Sequence, residues 1–123
     1  MKTISIQQPF AWAIIYAGKP IENRTWPSHY IGPLLIHASK NFDHYGYSWL
    51  CQNLNILTTE LPARDSLSFK FGGVIGQVKM IDCVDNHTSP FFFGPWGFLF
   101  QDPEPLPFYP CKGKLRIFDI DYK

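Results

Sequence analysis

The chain has 123 residues, the size of one ordinary domain with one core, able to bury roughly two thirds of the surface its unfolded form exposes. Eleven basic residues against ten acidic leave a net charge of +1, which excludes a global field that draws the chain to nucleic acid or a membrane. Any anion has to be held by a local patch, and with 17% aromatic residues some rings are expected at the surface as well as in the core.

Residues 3–6 alternate polar and apolar, the period of a half-buried strand. Pro9 stands where a helix starts, because its missing N–H costs nothing at the first helical position. Phe10, Ala11, Ile14, Ile15 and Ala17 follow at helical spacings, Gly18 is the stop, and Gln8 is a poor cap. Residues 21–26 read as a short second strand cut off by Pro27. Residues 33–38 are a near-continuous apolar run, suited to a strand buried on both faces. In it Leu35 and His37 share one face, and Leu34, Ile36 and Ala38 share the other.

Asn41 or Asp43 can cap a second helix reaching about Leu54, with Gly46 as its weak point. Residues 55–70 read as a connection with at most one helical turn over 61–65. Residues 73–84 carry the longest strand signal, with Val74, Gly76, Val78 and Met80 on one face. Gly76 marks a bulge or a close approach by a neighbour. The run Phe91-Phe92-Phe93 reads as core ahead of a stacking surface, and 97–100 as a strand. Pro103, Pro105, Pro107 and Pro110 force an extended, polyproline-like path, expected to wrap a sheet edge rather than pair in its middle. Residues 114–121 close the chain as a strand. Five to six strands with two or three helices and no βαβ rhythm give an α+β fold. The expected form is a small barrel or curled sheet with helices against it, in one domain spanning 1–123.

Cys51, Cys83 and Cys111 are odd in number and widely spaced, which points to reduced, structural thiols. His29, His37, His44 and His87 lack ligand spacing, so neither metal nor cofactor is expected. No apolar stretch nears the ~20 residues of a membrane helix, and there is no cationic leader with an apolar run. The expected address is cytoplasmic, with no membrane partner.

The residues that can carry chemistry pool after Gly18. Glu22 and Arg24, two apart on a strand, point to the same face, and Lys19 at the helix end can lean over it. The plain alternative is an exposed charged turn whose ion pairs are worth little. Trp12, Trp26, Tyr30, His37 and Lys40 lie nearby in sequence, and rings beside cations are how proteins hold unpaired bases. His37 reads either as a core histidine or as a donor to a base edge or phosphate, and Lys40 as a phosphate contact or a solvated loop lysine. Trp26 and Trp96, flanked by polar and turn residues, are the better candidates for stacking.

Three stretches together resemble the ASCH domain, a relative of the PUA domains. They are Gln-Pro-Phe-Ala-Trp continued to Gly-Lys-Pro-Ile-Glu-Asn-Arg, then Gly-Pro-Leu-Leu-Ile-His-Ala-Ser-Lys, then Gly-Gly-Val-Ile-Gly-Gln-Val. The likeness covers nearly the whole chain and implies a PUA-like pseudo-barrel, a cleft between the first helix and the sheet, and a role around RNA. The family's Gly-x(0–1)-Lys-x-x-Glu-x-Arg signature falls on Gly18, Lys19, Glu22 and Arg24, which would line that cleft. Some ASCH proteins deacylate N4-acylated cytidines with a Lys, a hydroxyl residue three positions on and a separate Glu. Lys19 matches the first, Glu22 occupies the second position, Thr25 is out of register, and no residue matches the third.

Amide hydrolysis needs an activated water or nucleophile and a holder for the oxyanion. Either a desolvated Lys19 beside Arg24 is the base, or Glu22 activates water while Lys19 or Arg24 holds the oxyanion. The leading reading is a binder of RNA, or of a nucleotide or modified nucleoside. Its ligand residues are Arg24, Trp26, His37, Lys40, Trp12 and Trp96, with Lys19 and Glu22 as the pair for catalysis if there is any. An amidohydrolase of N4-acylated cytidine is the alternative, and a metal-independent ribonuclease the third. The near-neutral charge leaves little for a broad basic face and favours a single nucleotide or nucleoside over long RNA.

Overall fold

The computed structural model describes residues 1–122. Its elements in order are β1 (Lys2–Gln8), α1 (Phe10–Tyr16), β2 (Ile21–Arg24), β3 (Gly32–Phe42), α2 (His44–Cys51), a 3-10 turn (Leu54–Ile56), β4 (Gly73–Val84), β5 (Trp96–Pro110) and β6 (Ile117–Asp119). The strands make one mixed sheet ordered β2-β5-β4-β3-β1-β6. The fold is therefore α+β, with a sheet that stays open: β2 and β6 are its two edges and are not paired to each other.

β1 and β3 run parallel, Thr3 opposite Leu35 and Ile6 opposite Ala38, while the other pairings are antiparallel. Parallel neighbours need a crossover, and α1 with β2 supplies it. α1 lays Ala11, Ile14 and Ile15 on Ile4, Ile6, Leu34, Ile36 and Ala38, so β3 presents the face that its alternation predicts. On the opposite face the ring of His37 meets that of Phe118, with centroids 6.3 Å apart.

The start of α1 differs in detail from expectation. Pro9 is the N-cap rather than the first helical residue, and the fully buried Gln8 does the capping. Its Oε1 accepts the Trp12 N–H at 2.8 Å and its Nε2 donates to the Lys70 carbonyl at 2.9 Å, so one orphan donor of the helix is satisfied from outside it. At the other end Gly18 takes a left-handed φ of 79°, and the Lys19 N–H turns back to the Ala13 carbonyl.

α2 ends at Cys51, short of the expected Leu54, and a separate 3-10 turn follows. Gly46 is required by packing, since a Cβ there would collide with the Phe10 ring. Asp43 caps α2 by accepting the Gly46 N–H at 2.8 Å. Asp43→Ala should cost about 1 kcal/mol of stability in urea unfolding.

In β4 the alternation breaks at a bulge between Val74 and Gly76, which lets Ile75 join Val78 and Met80 in the core. Gly76 also accommodates a close approach, because a Cβ would lie 2.6 Å from Ile15 Cδ1 and 2.7 Å from the Glu104 carbonyl. The proline-rich segment keeps to the expected edge but is a paired strand there rather than a polyproline-like wrap. It is the second half of β5 and pairs with β4, Gly76 opposite Pro105 and Gly73 opposite Pro110. β2 covers β5 only over 96–99, so along the prolines no strand among the described residues lies on the other side to miss their absent N–H groups. β6 is shorter than the strand expected over 114–121.

Candidate functional site

The site forms where α1 hands the chain to β2. Lys19 Nζ donates to the Ile21 carbonyl at 2.7 Å and to Glu22 Oε1 at 3.0 Å, and lies 4.9 Å from the centroid of the Phe10 ring. Arg24 Nη2 lies 3.1 Å from Glu22 Oε2 and donates to the Ser5 carbonyl at 2.8 Å. One carboxylate thus bridges two cations, one oxygen to each. The side chains of Lys19, Glu22 and Arg24 are 4%, 12% and 23% exposed, so water screens the Lys19–Glu22 pair least. β2 and β1 are first and fifth in the sheet, yet the Arg24–Ser5 bond joins them. The open sheet curls far enough for a side chain to span the gap.

Asn23, pointing the other way from its neighbours on β2, organises the facing loop. Its Oδ1 accepts the N–H groups of Phe93 (2.8 Å) and Gly94 (3.0 Å), and its Nδ2 donates to the Phe91 carbonyl at 2.9 Å. That loop, α1 and the residues before β6 enclose a cavity of about 680 Å³ around the cluster, walled by Phe10, Trp26, Phe91 and Phe93 and edged by Lys114 and Arg116. Its size suits a small-molecule site. Trp26 rests edge-on against Phe98, centroids 5.0 Å apart, with the Arg116 guanidinium 4.8 Å from its own ring. Arg24 Nε is the single buried side-chain donor without a hydrogen-bond partner among the described residues.

A family model for the ASCH domain matches residues 4–109, a span that holds the whole Lys19–Glu22–Arg24 cluster. The chain belongs to the ASCH domain family. ASCH domains are PUA-like, and the family is proposed to bind RNA. No curated protein matches the chain.

Four of the residues singled out from the sequence of this ASCH domain, Lys19, Glu22, Arg24 and Trp26, meet at the cavity. Lys40 and His37 line an adjoining hollow of about 470 Å³ instead. His37 is buried, with Nδ1 2.9 Å from Ser5 Oγ and Nε2 2.8 Å from the Cys111 carbonyl. A carbonyl only accepts, so Nε2 carries a proton; in the neutral ring Nδ1 is then the acceptor for the serine hydroxyl. Burial pushes the thiol of Cys111, beside it, above its ordinary pKa. Trp12 is buried, edge-on to Phe69, and borders a separate hollow with Tyr16 and Phe108. Trp96 is half-buried on β5 opposite Arg24 and lines neither of the two adjoining spaces.

Sequence reasoning missed Ser5, Asn23, Lys114 and Arg116, and set the phenylalanines of the loop aside as core. Phe91 is indeed buried, but Phe93 is 64% exposed. The cations alternating over Lys112, Lys114 and Arg116 were a usable signal, hidden because the stretch reads as a plain strand. Among the described residues no helix is long and apolar enough to cross a membrane, and no three His, Cys, Asp or Glu are grouped to hold a metal.

Proposed function

We propose that this ASCH domain binds one nucleotide unit of RNA in the 680 Å³ cavity, its base against Trp26 and its polar edge or phosphate against Arg24 and the lysines. The observation that carries this is the fixing of the cations. Glu22 and the Ser5 carbonyl hold the Arg24 guanidinium, and Glu22 and the Ile21 carbonyl hold the Lys19 ammonium, beside four rings. Donors already held in place lose little side-chain entropy when a ligand arrives. Rings next to cations suit an unpaired base, which offers a flat face and polar edges.

The same contacts weigh against proton transfer at this cluster. Each Glu22 oxygen is engaged by a cation, and Lys19 already donates to two acceptors. Deacylation of an N4-acylated cytidine is the second reading, and Ser5 is the observation in its favour: it lines the cavity, and its Oγ lies 2.9 Å from His37 Nδ1.

Calorimetric titration with the four ribonucleoside monophosphates tests the binding reading. At least one is expected to bind more tightly than about 1 mM, a binding free energy near −4 kcal/mol. No heat from any of them, nor from short single-stranded RNA, sinks it. Incubation with N4-acetylcytidine separates the alternatives, since cytidine released by the wild type and not by Lys19→Met or Ser5→Ala makes the protein a hydrolase.

A further inference from the structure

The cavity and the hollow beside it share a wall made of Ser5, Ser39, Lys114 and Leu115. The hollow is framed by Lys40, Lys112 and Lys114, and no carboxylate among the described residues lines it. None of these three lysines is in an ion pair among the described residues. Lys19, Arg24 and Arg116 continue the line of positive charge into the cavity. Six of the chain's eleven basic residues therefore border these two spaces, against two of its ten acidic ones, Glu22 and Asp43. That is a local excess of four positive charges in a chain whose total is +1. A near-neutral sum hides a segregated surface.

The strap that brings Lys112, Lys114 and Arg116 is tied down along its length. The Cys111 N–H bonds to the Gly72 carbonyl, and the Cys111 carbonyl bonds to the buried ring of His37. Gly113 lies so close to the Ser5–His37 pair that a Cβ would come within 2.8 Å of Ser5 Oγ and 2.9 Å of His37 Cε1. Arg116 sits over Trp26, and β6 then pairs with β1. The strap lies beyond residue 109, where the family match ends, while Lys40 lies within it.

We infer that the ligand is a single strand of RNA rather than a free nucleotide: it leaves the cavity across the shared wall and lays its next phosphates over Lys40, Lys112 and Lys114. The inference rests on the nucleotide-binding reading and extends it. Uncompensated lysines along a hollow contiguous with a base-sized cavity match the needs of a chain carrying one negative charge per nucleotide.

Uridine monophosphate and a four-nucleotide oligouridylate, titrated over a range of salt, test it. The oligonucleotide should bind more tightly, with log K falling against log salt by about 0.7 for each phosphate neutralised. Lys40→Gln/Lys112→Gln should flatten that slope by about 1.4, while Lys79→Gln, exposed on β4 away from both spaces, leaves it in place. Equal affinity and slope for the two ligands overturns the extended path while the single-nucleotide reading stands. A tighter oligonucleotide whose slope ignores the double variant overturns it too, because the strand then leaves by another route. If the oligonucleotide does not bind while any one of the four monophosphates does, the extended path falls alone; silence from all four monophosphates and the oligonucleotide sinks both readings.

Discussion

Glu22→Ala is expected to lower folding stability by about 3–5 kcal/mol, the usual cost of removing one partner from a buried ion cluster. The reason lies in what the variant leaves behind. Lys19, 4% exposed, keeps only the Ile21 carbonyl and the Phe10 ring as partners, and Arg24 keeps only the Ser5 carbonyl. Two positive charges then face each other across the gap where the carboxylate stood. With an m-value near 1.5 kcal/mol/M, the urea midpoint should fall by roughly 2–3 M. Removing the stranded ammonium as well should restore part of the loss. Lys19→Met/Glu22→Ala should be more stable than Glu22→Ala by at least about 1 kcal/mol, a coupling within the range for contacting residues. A Glu22→Ala midpoint within 0.5 M of the wild type would mean that the cluster is solvated and that the cations are not held as described; that margin is about 0.75 kcal/mol at the same m-value.

How much of this was readable beforehand follows from how far apart in the chain the interacting residues are. Lys19, Glu22 and Arg24 are separated by so few residues that a helix stop and a strand are enough to bring them together, and both signals are local. The faces of β3 were legible for the same reason, since alternation is a property of one strand. Trp12 was not placed well because its helix is covered from two sides. Ile14 and Ile15 face the sheet, while Trp12, Ala13 and Ala17 face Tyr47 and Phe69, and seven helical residues do not show which covered side adjoins the cavity. The prolines of β5 argue against a central strand, and only the shortness of β2, which stops at Arg24, makes room for them. Lys114 and Arg116 arrive at the site about ninety residues after Arg24, through the β6–β1 pairing, and no spacing rule reports that. Net charge is a sum without positions, so it argued for a smaller ligand than the segregated surface now favours.

Trp26→Ala should weaken binding of uridine monophosphate by about 5- to 150-fold, the equivalent of 1–3 kcal/mol for one base stacked on an aromatic ring. In the structure the Trp26 ring carries Arg116 at 4.8 Å. A cation over a ring at an exposed site is worth about 0.5–1 kcal/mol, less than a stacked base, so the ligand can displace the guanidinium. The freed Arg116 then stands beside a phosphate that it can pair with, which recovers part of the displacement cost. Trp26 also braces Phe98, so the alanine variant opens space against the core and its fold has to be checked by urea unfolding. Trp26→Phe keeps a ring on Phe98 and a smaller stacking face, and should bind within about fivefold of the wild type if stacking is the interaction that matters. If the alanine variant remains folded and binds within twofold of the wild type, the base does not lie on this ring. Phe10 and the loop of Phe91 and Phe93 that Asn23 holds in place would then be the remaining aromatic walls on which it rests.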